Sequence, residues 1–191
     1  MMNPVLFNIP EIIKTNRIEM HCPLFGEGDV VNHAIRESIN ELRPWMTWAQ
    51  NVPTIEESEL DVRRARLKFL EGSDLRFHLI HKETDKFIGV SGLHRINWLV
   101  KKFEIGYWVG TSWGGMGYIT EAVDVLTNYC IDNFDANRIE IRCDPRNVKS
   151  IRIAEKLNFT LEAQLRSDMI DSKGTLRDTL VFSKVRGIEF K

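Results

Sequence analysis

The chain has 191 residues, which is close to one domain's length, so a single domain over residues 1–191 is expected. With 43% hydrophobic and 28% charged residues it has the composition of a folded globular protein, not of a disordered chain. Its 26 Lys and Arg against 27 Asp and Glu leave a net charge of −1, without the basic excess that neutralises phosphates, so no nucleic-acid partner is expected.

In chain order, Met1 to Lys14 lacks the basic start and long apolar stretch of a signal peptide. Asn16–Cys22 reads as a strand. Asp29 is a plausible N-cap for a helix whose apolar positions are Val31, Ala34, Ile35, Ile39 and Leu42, ending before Pro44. A loop carrying Trp45 and Trp48 follows. Thr54 and Glu57 have capping-box spacing, and the helix they open is acidic first and basic last, as its dipole favours. Leu75–His81 and Phe87–Leu93 read as a hairpin joined by the turn-rich residues 82–86. Their His78 and His81 fall on opposite strand faces and are read as isolated histidines. Lys102–Val109 is a third strand. Tyr118–Phe134 is a helix with Ile119, Ala122, Val123, Leu126, Cys130 and Phe134 on one side. Arg138–Cys143 is a short strand, and Val148–Leu157 a helix with Val148, Ile151, Ala154 and Leu157 inward. Phe159–Arg166 and Thr175–Lys184 form a last hairpin around Gly174. The fold class is therefore α/β (α+β), with one parallel crossover between flanking hairpins.

The longest uncharged run, Ile105–Thr120, is 16 residues long with five glycines, too short for the ~20 residues that span a bilayer. No membrane partner and a cytoplasmic location are expected. Three cysteines, Cys22, Cys130 and Cys143, without a Cys-x-x-Cys pair, point to a reducing compartment, and no metal site is expected.

Gly106, Gly110, Gly114, Gly115 and Gly117 concentrate between a strand and a helix. Glycines there let backbone N–H groups approach an anion, and the helix N-terminus adds partial positive charge. A close-packed turn is the structural alternative. Gly117-Tyr118-Ile119 lacks the Gly-Lys-Ser/Thr of a P-loop. Gly115-x-Gly117-x-x-Thr120 misses the third glycine of a dinucleotide fingerprint, and the repeated parallel units that accompany it are absent.

Ser112-Trp113-Gly114-Gly115-Met116-Gly117 matches both glycines of the acetyl-CoA pyrophosphate loop of the GNAT acetyltransferases, Gln/Arg-x-x-Gly-x-Gly/Ala, with Ser112 departing at the first position. Ile105-Gly106-Tyr107-Trp108-Val109 precedes the loop and Thr120-Glu121-Ala122 follows it. Asn147-x-x-Ser150 opens the next helix, Glu155-Lys156-Leu157-Asn158-Phe159 closes it, and Leu42-Arg43-Pro44-Trp45 and Arg177-Asp178 lie further out. Over residues 15–185 the chain resembles the GNAT branch of ribosomal-protein N-terminal (alanine/serine) acetyltransferases.

That resemblance implies a twisted, mostly antiparallel sheet with flanking helices, whose two central parallel strands, Lys102–Val109 and Arg138–Cys143, splay apart. Acetyl-CoA is the implied co-substrate, with no metal. Its pantetheine arm would bond backbone near Trp108, Val109 and Gly110, and its pyrophosphate the amides of Gly115, Met116, Gly117, Tyr118, Ile119 and Thr120. The implied acceptor is an amine, a protein N-terminus or a small molecule such as a polyamine, antibiotic or amino acid. A non-catalytic acetyl-CoA-binding module is the rival class, and a homodimer is the family expectation.

Direct attack of a neutral amine on the thioester needs a base, a polarised carbonyl and an acid for the leaving sulfur. Asn147 would orient pantetheine or acetyl and Ser150 would relay a proton, although both types also cap helices. Phe159, Thr160 and Leu161 stand where many GNATs place a tyrosine acid. Glu104 and His94 are the candidate bases, a salt bridge or edge-strand residue being the alternative for each. Cys143 reads as a pocket-lining thiol more readily than as a nucleophile. Arg146, Lys149, Arg152 and Lys156 could meet the CoA 3′-phosphate or form a solvated face. Trp45, Trp48 and Trp98 could line the acceptor cleft. An α-amino group near pKa 7.7–8.0 is about a tenth neutral at pH 7, a lysine near 10.4 far less, which favours an N-terminal acceptor.

Overall fold

The computed structural model describes residues 4–191. An eight-stranded sheet runs in the order β1-β2-β3-β4-β5-β6-β8-β7. Its strands are β1 (Ile12–Lys14), β2 (Ile18–His21), β3 (Leu75–His81), β4 (Phe87–Asn97), β5 (Lys102–Val109), β6 (Arg138–Cys143), β7 (Thr160–Ile170) and β8 (Leu176–Val185). All neighbours are antiparallel except β5 and β6, which the helix α3 (Tyr118–Asn133) connects as a parallel crossover. The other helices are α1 (Gly28–Leu42), α2 (Ile55–Glu71) and α4 (Val148–Lys156).

The alternation of β5 assigns the two faces of the sheet. Phe103 and Ile105 belong to a large core with Ile119, Ala122, Leu126 and Ala154, against which Tyr107 packs. The next residue, Trp108, packs instead on a smaller cluster of Val31, Ile35, Val62, Phe87 and Val90. Successive strand side chains point to opposite faces, so α3 and α4 cover one face and α1 and α2 the other.

The capping box at α2 forms in both directions: Glu57 N donates to Thr54 Oγ1 at 3.1 Å and Thr54 N to Glu57 Oε2 at 2.7 Å. Gly72 ends α2 in the left-handed conformation, φ 67°. The start of α1 differs from expectation. Glu27, not Asp29, precedes its first turn, and it makes no side-chain cap, because its carboxylate accepts from Leu24 N and from His78. The strand expected over Asn16–Cys22 is shorter, since Thr15 N bonds to Ile18 O in the turn that joins β1 to β2. Val148 faces solvent instead of the core, as the first residue of α4 beyond its Asn147 cap. Neither strand histidine is isolated. His78 Nδ1 lies 2.9 Å from Glu27 Oε2, while His81 packs on the rings of Trp113 and Tyr118. Among the described residues no helix is long and apolar enough to cross a membrane.

Candidate active site in the splayed sheet

Strands β5 and β6 pair only from Lys102 with Arg138 to Glu104 with Glu140. Beyond that point β5 follows β4 as far as Val109, and β6 follows β8 as far as Cys143. The two inner edges therefore separate into a wedge whose backbone groups lack a partner strand, which in a sheet invites an extended ligand. The wedge opens into a cavity of about 560 Å³ that reaches from Gly106, Tyr107 and Cys143 to Trp45 and Trp48.

At the end of β5 lies the glycine loop. Gly115 and Gly117 hold φ 78° and 83°, which side-chain-bearing residues rarely adopt. Glu121 N to Gly117 O, 3.0 Å, is the first backbone bond of α3. Among the described residues the six amides of Gly115–Thr120 meet no intramolecular acceptor, and at a helix N-terminus such amides form an anion cradle. Arg17 braces the loop: its Nη1 donates to Met116 O at 2.9 Å, its Nε to Glu121 Oε2 at 2.7 Å, and its guanidinium lies 4.5 Å above the Tyr118 ring. Burial pulls the Glu121 carboxyl upward, but bonds from Thr15 and Arg17 outweigh it and hold the group below the ordinary carboxylate range. Ser112 donates to Glu37, and Ser38 Oγ accepts from Thr111 N at 2.9 Å, so the loop is also tied to α1.

Two groups of polar side chains meet at Gly106 and Tyr107. On the α3–α4 face, Tyr107 Oη and Ser150 Oγ share a hydrogen bond of 2.7 Å. Burial pushes the Tyr107 phenol above its ordinary value, so it stays protonated. Burial also pushes the Cys143 thiol up to about 11, with a bond to Ser150 partly opposing it. A thiol at that value is a poor nucleophile at neutral pH. On the α1–α2 face, the His94 ring occupies the space where a Cβ on Gly106 would stand, 2.6 Å from Cδ2 and 2.9 Å from Nε2. Its Nδ1 lies 2.7 Å from Asp74 Oδ2.

Residues 29–160 match the family described as an acetyltransferase (GNAT) domain. The chain belongs to the GNAT acetyltransferase family. It is 39% identical over 117 residues to the uncharacterized N-acetyltransferase p20 of Bacillus licheniformis, a match over 61% of this chain that spans just under two thirds, 65%, of that protein. It is 30% identical over 147 residues to the ribosomal-protein-serine acetyltransferase of Escherichia coli, covering 70% of this chain and 80% of that protein. Among solved structures, RimL, a ribosomal α-N-protein acetyltransferase in complex with coenzyme A, has a TM-score of 0.86 at 21% identity over 95% of this chain and all of that one, a likeness of fold. MccE, a microcin self-immunity acetyltransferase in complex with acetyl-CoA and AMP, has a TM-score of 0.86 at 25% identity, over 93% of this chain and 98% of that one.

The GNAT domain brings together most of the residues singled out in the sequence. Trp108, Asn147, Ser150 and His94 line the cavity, and Val109 and Gly110 lead from the wedge to the amide cradle. Asn147 Oδ1 caps α4 by accepting from Ser150 N at 3.1 Å. Glu104 is absent from the cavity lining and pairs with Arg95 at 3.2 Å. Arg146 is held by Asp144 and Asp171, while Lys149, Arg152 and Lys156 project from the exposed side of α4. Trp98 lies elsewhere, packed on Phe7, Phe103 and Phe134 with Nε1 donating to Gly72 O. The five glycines do not all serve one loop either, because Gly106 makes room for His94. Sequence reading missed Tyr107, Asp74 and Arg17. Only Tyr107 left a signal, as the residue beside a glycine inside a strand, a place where close approach is common.

Proposed function

We propose that this GNAT protein is an acetyl-CoA-dependent N-acetyltransferase acting on a primary amine, with a protein or peptide N-terminal α-amino group as its preferred acceptor. The observation that carries this reading is the succession of three features: unpartnered amides at Gly115–Thr120 just past the end of β5, a wedge between β5 and β6, and an aromatic-walled cavity into which that wedge opens. An anion cradle, an extended slot and a cavity at its end suit the pyrophosphate, pantetheine arm and thioester of acetyl-CoA in turn. Similarity to the ribosomal-protein-serine acetyltransferase of Escherichia coli supports the acceptor class.

Acetyl-CoA, when bound, supplies an acyl group activated as a thioester that an amine attacks directly. Gly115 to Thr120 would hold its phosphates, and Trp108, Val109 and Gly110 the arm. His94 Nε2 takes the proton that the amine nitrogen loses, and Ser150 Oγ gives one toward the departing sulfur and regains it from solvent. The Tyr107 hydroxyl, protonated throughout, holds the Ser150 hydroxyl at 2.7 Å. Base and acid thus lie on opposite faces of β5. The family resemblance further supports action in the cytoplasm as a homodimer, which sedimentation would test.

Trp48 and Trp108, with ring centroids 6.0 Å apart, favour a second acceptor, a small amine carrying a stackable ring, because aromatic faces hold bases and rings alike. MccE, solved with AMP, supports it. Thiol release from acetyl-CoA against N-terminal peptides, aminoacyl nucleotides, polyamines and aminoglycosides separates the readings. Peptide turnover is expected. Binding of acetyl-CoA without turnover of any amine would make the protein a non-catalytic module.

A further inference from the structure

His94 is a cavity residue on β4, and Asp74 lies just beyond the end of α2, before β3. Twenty residues separate them in sequence, and neither motif nor spacing links them. The fold brings His94 Nδ1 to 2.7 Å from Asp74 Oδ2, with both side chains only partly exposed, at 29% and 22%. We propose that Asp74 is a positioning residue that fixes the tautomer and orientation of His94, so that the two act as a base dyad for the acceptor amine. This rests on the reading of the protein as an N-acetyltransferase.

Three observations support the dyad. First, an ionised carboxylate only accepts hydrogen bonds, so the bond to Asp74 fixes a proton on Nδ1, and the neutral ring held this way carries its lone pair on Nε2. Second, Nε2 lies over Gly106, 2.9 Å from where a Cβ would be built there. Gly106 is two residues past Glu104, where β5 and β6 stop pairing, so the ring edge stands over β5 where the wedge begins, and His94 lines the cavity there. Third, the neighbouring carboxylates are engaged elsewhere. Glu104, opposite His94 in the sheet, is paired with Arg95, and Asp61 with Arg76.

The proton balance follows directly. As the amine nitrogen bonds the acyl carbon and the carbon–sulfur bond breaks, the nitrogen sheds one proton to Nε2, which returns it to solvent. The sulfur leaves on the other face with the proton of the Ser150 hydroxyl, which Ser150 regains from solvent, so one proton is released and one taken up and the products are an amide and a thiol. A histidine base also narrows the acceptor class. α-Amino groups titrate near ~8 and lysine side chains near ~10.4, so proton transfer to an imidazole is far less uphill from an N-terminus than from lysine.

The test begins with the unmodified protein. Nitrogen-15 NMR of free protein should show His94 protonated on Nδ1 and unprotonated on Nε2, and Asp74→Asn should abolish that preference. The opposite tautomer in the wild type would overturn the proposal, whatever the variants do. In turnover assays, Asp74→Asn is expected to lower kcat about 10- to 100-fold, no more than the roughly 10²- to 10⁴-fold that general-base catalysis provides because the His94 base itself remains, with acetyl-CoA affinity by calorimetry unchanged. His94→Ala should fall at least as far, and adding Asp74→Asn to it should cost nothing more. Equal losses from Asp74→Asn with and without His94 would sink the dyad. A wild type that binds acetyl-CoA but acetylates no amine would remove the enzymatic reading itself, and this proposal with it.

Discussion

Replacing Gly106 by Ala adds one methyl group and tests the wedge chemistry sharply. The new Cβ would stand 2.6 Å from His94 Cδ2 and 2.9 Å from Nε2, against the ~3.5 Å at which carbon atoms touch without strain. The ring must therefore withdraw by nearly 1 Å. Withdrawal lengthens or tilts the bond to Asp74 and carries Nε2 off the wedge. A displacement of that size at a reacting group can cost about 100-fold in rate, whereas the steric cost to the fold is about 1–3 kcal/mol. In a protein of this size that is a fall in Tm of roughly 2–4 °C for each kcal/mol. The experiment compares kcat on an N-terminal peptide with acetyl-CoA affinity and thermal unfolding. The expected result is a large loss of kcat, a modest fall in Tm and unchanged affinity. Wild-type turnover in a folded variant would refute the placement of the base, and loss of acetyl-CoA binding would show that the methyl group closes the wedge instead.

Four further outcomes are expected. Gly117→Trp should abolish acetyl-CoA binding in calorimetry with the fold intact by circular dichroism, because Gly117 sits at φ 83° at the centre of the amide cradle. Tyr107→Phe removes the bond to Ser150, worth about 1 kcal/mol in net terms, and should lower kcat several-fold while sparing acetyl-CoA affinity. Cys143→Ala should retain most turnover, and iodoacetamide should label Cys143 slowly at pH 7.5, since its thiol is pushed up to about 11. Glu121 is depressed in the folded state, so its contribution is present above its unfolded value and lost as pH falls through its lower folded one. Acid unfolding below about pH 4.3 should therefore be less steep in Glu121→Gln, followed by fluorescence.

Local chemistry made much of this fold legible in the sequence. Thr54 and Glu57 carry their own reciprocal bonds, and the bounds of β5 and β6 coincide with the periodic runs read in them. The glycine loop was legible for the same reason, since Gly115 and Gly117 need a conformation that few other residues adopt. What stayed hidden depends on register. His94 faces Gly106 because β4 and β5 pair His94 with Glu104 and Gly92 with Gly106, and no local pattern encodes that alignment. Asp74 and Arg17 act across 20 and 99 residues of sequence, and Trp98 was misplaced because its aromatic neighbours come from three separate segments.

In the proposed mechanism the same register lets one strand serve both proton transfers. Successive residues of β5 point to opposite faces, so Tyr107 turns to Ser150 under α4 while Gly106 and Trp108 turn to the side of α1 and α2. An acid and a base placed on one face would bond each other and neutralise the pair. Here the backbone of β5 stands between the proposed pair, and the wedge beyond Glu104 is where the proposed substrate would meet both. The glycine at 106 is needed because the strand must also admit an imidazole on that face. The alternation that buries Ile105 and Phe103 thus also separates the two ends of the proposed reaction, and a single-residue slip of β5 would exchange Tyr107 and His94 access at once.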